Sequence, residues 1–175
     1  MCGLVGVASI KVKGVNDRKW LTSACKTLSH RGPDDTGEWW SKDYRVGMAH
    51  RRLSIVDLSS SAHQPMHLTD RGLSIIFNGE IYNHHELKLQ LKSLGHSFYS
   101  QSDTEVLLVA YAEWGTNCLR YLNGMFAFAL WDNSKKELTL TRDRLGEKPL
   151  YWSIQDKNFY FGSQVSSIIS NPIFK

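Results

Sequence analysis

Apolar and polar positions along the chain switch between two spacings. Residues 4–10 form a short apolar run that reads as a strand buried on both faces. From Asp17 to about Ser29 the spacing turns helical, with Trp20, Leu21, Ala24, Cys25 and Leu28 along one side and Asp17 placed to cap the start. Cys25 lies on that stripe and reads as core. His30-Arg31-Gly32-Pro33-Asp34-Asp35 then breaks the helix into a loop. Strands are predicted over 37–41 and 45–53, joined by a turn at Lys42-Asp43. A polar loop, 59–64, leads through Pro65 to a strand over 73–77 that ends at Asn78-Gly79-Glu80.

The second half repeats this grammar. Asn83 is placed to cap a helix with Glu86 at its third position, Leu87, Leu91 and Leu94 on its apolar side, and Gly95 as its stop. Ser102-Asp103-Thr104-Glu105 has the form of a capping box, opening a helix that reaches Trp114 and closes at Gly115. Residues 125–131 are continuously apolar, as in a central strand. A turn over 132–136 joins them to 137–142, where Leu138 and Leu140 alternate with polar neighbours. A hairpin of 150–154 and 159–162 follows, then a short helix from about Ser163. Two clusters of helices among hairpin strands indicate an α+β fold, antiparallel sheets covered by helices. There are no repeats, low-complexity segments or internal linkers.

Composition narrows the class. A length of 175 residues suits one domain, and 42% hydrophobic with 22% charged residues is the make-up of a soluble globular protein. The net charge of +4 is dispersed and forms no Lys/Arg stripe, which argues against a nucleic-acid partner. Cys2, Cys25 and Cys118 are too few and too scattered for a disulfide framework or a metal site, which suits a reducing compartment. No signal peptide is visible and no run approaches membrane-spanning length, so the expected location is cytoplasmic, with no membrane partner.

Cys2 carries the candidate chemistry. A start methionine before a small residue is commonly clipped, and Cys2 would then bear both a thiol and the free α-amine. The amine titrates near ~7.7–8.0 and the thiol near ~8.5, so one can take the other's proton close to neutrality. Taken alone, the residue reads first as a small buried residue at a strand start, and it is the rest of the chain that reverses this. His63 and His67 have an His-x3-His spacing, but Pro65 between them prevents the helix that would bring both rings to one metal. His84-His85 reads as solvent-facing, and Trp39, Trp40 and Trp131 as core and strand residues. No glycine-rich phosphate loop occurs.

Seven blocks then recur in one order: Met1-Cys2-Gly3 with its apolar continuation, His30-Arg31-Gly32-Pro33-Asp34, Arg52-Leu53-Ser54-Ile55-Val56-Asp57, Asn78-Gly79-Glu80-Ile81-Tyr82-Asn83, Ser102-Asp103-Thr104-Glu105, Gly124-Met125-Phe126-Ala127-Phe128-Ala129, and Arg142-Asp143-Arg144-Leu145-Gly146. With them the chain resembles the glutaminase domain of class II glutamine amidotransferases, most of all that of glutamine-hydrolysing asparagine synthetase. The resemblance implies the N-terminal-nucleophile hydrolase fold, an αββα four-layer sandwich with two antiparallel sheets. It implies Cys2 as nucleophile, and Asn78 with the Gly79 N–H as oxyanion hole. It also implies Arg52 for the α-carboxylate of L-glutamine and Asp103, supported by Glu80, for the α-ammonium. Backbone carbonyls at Leu53 and Ile55 are further expected contacts. Arg51, on the opposite strand face from Arg52, is expected to be structural or solvated.

Each assignment has a plainer reading beside it. Asn-Gly between apolar residues is the strongest short hairpin signal and on pattern alone favours a turn, a reading weakened by the helix signal that starts within a few residues of Glu80. Asp103 also suits the first turn of a helix. The glutaminase part is expected to need no cofactor. ATP and magnesium belong to the synthetase domain of the resembled family, which would follow the present 175 residues, amidate aspartate, and cover an exposed apolar patch here. A homodimer is possible in the longer protein. Gln164 stands after Ser163 where the family has glutamate, which bears on contacts near that junction. The alternatives are a class II amidotransferase with another acceptor, another N-terminal-nucleophile hydrolase, or an inactive regulatory module of this fold.

Overall fold

A computed structural model describes residues 1–11, 14–15, 17–55 and 57–174, so Val56 of the 52–57 block lies outside the described residues. In chain order the elements are β1 (Gly3–Ser9), α1 (Lys19–Thr27), β2 (Asp35–Trp40), β3 (Val46–Arg52), β4 (Met66–Leu68), β5 (Leu73–Ile81), α2 (His84–Ser93), α3 (Asp103–Trp114), β6 (Gly124–Asp132), β7 (Glu137–Arg142), β8 (Tyr151–Gln155), β9 (Asn158–Gly162) and α4 (Val165–Ile169). One antiparallel sheet has the order β2-β3-β1-β9-β8 and the other β4-β5-β6-β7. The first strand thus pairs on one side with β9, Val5 opposite Gly162.

Side chains alternate across each strand, so every central strand feeds two layers. On β6, Phe126, Phe128 and Leu130 pack with α2 and α3, while Ala127, Ala129 and Trp131 face the other sheet. On β1, Val5 and Val7 pack with Trp20, Leu21 and Ala24 of α1, while Leu4 faces inward. On β3, Val46 and Met48 join Leu4, Ile76 and Phe161 between the sheets. The three packed layers therefore separate four structural ones: α1 and α4, the first sheet, the second sheet, and α2 with α3. This is the αββα sandwich. Helix α3 is buried along nearly its whole length, from Asp103 to Tyr111, so truncating Leu107 to alanine would cost about 2–5 kcal/mol.

Several elements differ from the sequence reading. Strand β5 does not end at Phe77 but runs to Ile81, with Asn78 opposite Ala127 and Gly79 opposite Phe126. Asn78-Gly79 is therefore mid-strand and not a turn. Glycine is required there by close approach: a Cβ would lie 2.3 Å from the Met125 carbonyl oxygen and 2.7 Å from the Phe126 Cα. Strand β4 was not predicted. Helix α1 ends at Thr27, and Asp17 only accepts a long bond from the Trp20 N–H (3.4 Å), with Arg18 in the cap position. Asn83 precedes α2, yet its side chain bonds the Tyr121 carbonyl (2.9 Å) and the Asn123 N–H (3.0 Å) instead of capping. Leu94 is exposed.

Ser102 does cap α3, accepting from the Thr104 N–H at 3.1 Å. Glu105 does not close the box. It takes the N–H groups of Tyr99 and Ser100 and the Ser100 hydroxyl, all within 2.7 Å, and so straps the preceding loop to the helix. His84 is half-buried, with Nδ1 2.8 Å from the Ile81 carbonyl, whereas His85 is exposed. The closing hairpin turns through Asp156 and Lys157, both at positive φ, and Tyr151, Trp152 and Ile154 of β8 stay exposed beside Val165 and Ile169 of α4.

Candidate active site

The inward rows of the two sheets are apolar along most of their length and turn polar at one end. On β3 the row runs Val46, Met48, His50, Arg52; on β5 it runs Ile76, Asn78; before β1, Cys2 continues the face of Leu4. These ends meet around a cavity of about 120 Å³. That is small beside the roughly 300–1,000 Å³ of drug-sized sites and suits one small amino acid. Cys2, Arg52, Leu53, Ile55, Asn78, Gly79, Glu80 and Asp103 all line it. The structure thus brings together every residue that the resemblance assigns to the site.

Their settings differ. The Cys2 carbonyl accepts from Arg31 Nε at 2.9 Å, which fixes the chain start against the loop after α1. Burial pushes the Cys2 thiol up from its ordinary range, against the Leu53 backbone bond, the chain-terminal amine's charge and the Arg52 charge. That amine belongs to Met1, which is largely exposed and whose sulfur lies 3.5 Å from Lys148 Nζ. The buried Arg52 guanidinium is gripped by the Ser59 carbonyl (2.9 Å) and the Asp57 carbonyl, so the 57–59 loop sets its direction. Arg51 lies on the other strand face, beside Cys25 and Lys26.

Asn78 is 1% exposed, and its Nδ2 has no partner among the described residues. A buried amide donor left unpaired costs about 1–3 kcal/mol, so one that lines a cavity is poised to meet an acceptor there. Asp103 opens α3 and accepts from the Ile81 N–H at 3.0 Å. Burial raises its carboxyl above the usual range, against the Ile81 bond. Its two readings hold together: it is a first-turn acid, and it faces the cavity. Glu80 is half-exposed and Ile55 stands exposed at the mouth.

The site also contains residues the sequence reading did not pick out. Gln64, Phe77, Thr104, Met125 and Lys148 line the same cavity. A lysine only 6% exposed is unusual, and nothing local in the sequence marks Lys148 as buried. The other histidines are engaged elsewhere: His63 Nδ1 with Asp35 at 2.7 Å, and His67 Nδ1 with the Ser74 hydroxyl at 2.8 Å. Cys25 is buried against the His50 carbonyl, and Cys118 is fully buried with its thiol pushed up to about 12. Gln164 Nε2 meets His30 Nε2 at 3.0 Å, a contact between the α4 junction and the loop after α1.

Comparison with known proteins places this geometry in context. A family model described as a glutamine amidotransferase domain matches residues 1–175. Asparagine synthetase [glutamine-hydrolyzing] 3 of Bacillus subtilis is 41% identical over 177 residues, covering 100% of this chain and 28% of that protein. An amidase of Gibberella zeae is 36% identical over 150 residues, 86% of this chain and 22% of that protein. The chain therefore spans about a quarter of the length of these relatives. Among solved structures, a glutamine phosphoribosylpyrophosphate amidotransferase from B. subtilis shares the fold with a TM-score of 0.82 at 20% identity, over 97% of this chain and 43% of that one.

Proposed function

The chain belongs to the glutamine amidotransferase domain family, and from that premise we propose that it hydrolyses L-glutamine to glutamate and ammonia through a thioester on Cys2. The observation that carries the reading is the buried Asn78 amide, without a partner among the described residues, lining the same small cavity as Cys2, Arg52 and Asp103. Arg52 takes the substrate α-carboxylate and Asp103 its α-ammonium, which leaves the side-chain amide beside the sulfur. The thiol proton passes to the α-amine that removal of Met1 places on Cys2. The sulfur attacks the amide carbon, and the oxygen's new negative charge is met by Asn78 Nδ2 and the Gly79 N–H. As the carbon–nitrogen bond breaks, the amine returns its proton to the leaving nitrogen, which departs as ammonia. Water, deprotonated by the same amine, then opens the thioester to glutamate and the free thiol.

No step draws on a cofactor; ATP and magnesium enter with a synthetase domain. In the longer protein that domain follows residue 175 and uses the ammonia, with aspartate as the acceptor favoured by the similarity to asparagine synthetases. The exposed apolar side chains of β8 and α4 give it a face to pack against. The test is glutamate release from glutamine by the Met1-processed chain, without ATP. Release is expected, and a correctly processed, folded chain that produced no glutamate would overturn the reading.

A further inference from the structure

In an antiparallel strand, the N–H and C=O of one residue point to the same edge, and those of the next residue to the opposite edge. On β5 both backbone groups of Phe77 are taken by side chains from outside the sheet ladder. Its N–H donates to Gln64 Oε1 at 2.6 Å, and its C=O accepts from His50 Nε2 at 2.9 Å. The Ile81 N–H, two alternations on, donates to Asp103. Gly79 lies between them, so its N–H points to that same edge, away from β6. Strand β4 pairs along this edge only as far as Met66 opposite Ile75. Carried on, the register would set Gln64 opposite Phe77, but β4 begins only at Met66, after Pro65. The Gln64 side chain does what its backbone would have done.

His50 stands in the sheet that holds Arg52 and pairs with the strand following Cys2, while Phe77 stands in the sheet that holds Asn78. The layer between the sheets is otherwise filled by apolar side chains, whose packing is not directional. The His50–Phe77 bond is directional and crosses that layer one residue from Asn78. Since a carbonyl only accepts, Nε2 carries the proton. The ring is neutral because burial holds its pKa down to about 4. Its Nδ1 is buried without a partner among the described residues, a burden that a leucine in the same inward row would not carry. Gln64 also donates to the Thr104 hydroxyl at 3.2 Å, next to Asp103.

We propose that His50 and Gln64 are positioning residues for the oxyanion hole: by holding both backbone groups of Phe77 they aim the Asn78 amide and the Gly79 N–H at the oxygen of the bound amide. This rests on the glutaminase reading. His50 does not line the cavity, and Gln64, which does, spends its amide on the Phe77 N–H and the Thr104 hydroxyl; both act through Phe77.

The test uses the Met1-processed chain and measures turnover, KM for glutamine, and inhibition by two ligands. One is the glutamine analogue with an aldehyde in place of the carboxamide, whose adduct with the thiol places an oxygen in the hole. The other is L-glutamate, which forms no such adduct. His50→Leu is expected to lower kcat by about 10- to 100-fold, less than outright removal of a donor, with KM within about twofold. The aldehyde's inhibition constant rises by the same factor and glutamate's does not. His50→Gln, whose amide reaches the place of Nε2, brings kcat back to within about threefold of the parent. Gln64→Leu acts in the direction of His50→Leu and carries the comparison with His50→Gln if His50→Leu does not fold. An active parent whose His50→Leu and Gln64→Leu forms keep kcat overturns the proposal, as does a parallel loss of affinity for aldehyde and glutamate alike. A parent without glutaminase activity overturns the function itself.

Discussion

The Leu53 N–H points at the Cys2 sulfur from 3.4 Å, and the Leu53 carbonyl oxygen lies 3.6 Å from the same atom. The sulfur thus accepts from one side of a single residue and donates to the other, an arrangement that holds the protonated thiol in place. Burial raises its pKa above the ordinary range, against the pull of the Leu53 backbone bond. A base is therefore needed, and while Met1 is attached the nitrogen of Cys2 is an amide with no proton affinity to offer. A sample that retains Met1 is expected to show little or no glutaminase activity and a clipped sample full activity. Intact-mass analysis beside the rate assay checks this, and normal turnover by a fully Met-bearing sample removes the mechanism.

A diazoketone analogue of glutamine should alkylate Cys2 and spare the other two thiols. Cys25 is buried on the α1 stripe and Cys118 is fully buried with its thiol at about 12. Peptide mapping reads the result, and label on Cys118 would relocate the site. Cys2→Ala should abolish hydrolysis while glutamine binding stays measurable.

Recognition and chemistry separate by residue. Arg52→Lys keeps a charge but loses the planar fork gripped by the 57–59 loop, so KM should rise with kcat less affected. Asn78→Ala removes one oxyanion donor and should lower kcat by about 10²–10³-fold, or about 3–4 kcal/mol, with KM less affected. Steady-state kinetics on both variants decide it; the opposite pattern reverses the assigned roles.

Asp103 gives a pH signature. Its carboxyl is raised by burial, and only its ionised form attracts the substrate ammonium. As pH falls, kcat/KM should therefore begin to drop above the usual carboxylate range. Asp103→Asn should have low kcat/KM throughout and no such limb. A profile of the parent that stays flat down to the ordinary carboxylate range contradicts the role.

Stability should carry the mark of His50. Its folded pKa is lowered from 6.5 to about 4, so between those values the unfolded chain binds a proton that the folded chain does not. Stability then falls as pH drops through this window, by up to about 3 kcal/mol from this one group. Urea midpoints at two pH values, in the parent and in His50→Gln, measure it. The variant's dependence should be shallower, and equal slopes would refute the attribution.

How much was legible in the sequence depended on whether a signal was local. The alternation that places Arg52 inward and Arg51 outward is a local period, and it held. The Asn-Gly pair misled because turn preference is local, whereas its actual setting is a contact with β6 some 47 residues further on, Gly79 opposite Phe126. Asn83 and Glu105 have the residue types of helix caps, yet loops distant in sequence or just outside the box claim their side chains. His50 and Gln64 gave no signal. A histidine in an apolar row and a glutamine before a proline look like core and loop until the second sheet is set against the first.

The pairing of β1 with both β3 and β9 spreads the completion of the first sheet over the whole length of the chain. The strand that follows the nucleophile is secured on one side by residues 46–51 and on the other by residues 158–162. During synthesis the segments bearing Arg52, Asn78 and Asp103 all leave the ribosome before β9 does. The Cys2 end of the strand, Gly3 and Leu4 opposite Arg51 and His50, can pair early, whereas its second edge waits on one of the most sequence-distant pairings in the molecule, and closing so long a loop is slow relative to forming the local hairpins. A nascent chain stopped short of Asn158 would hold every proposed catalytic group and still lack the second neighbour of the strand that follows the first of them.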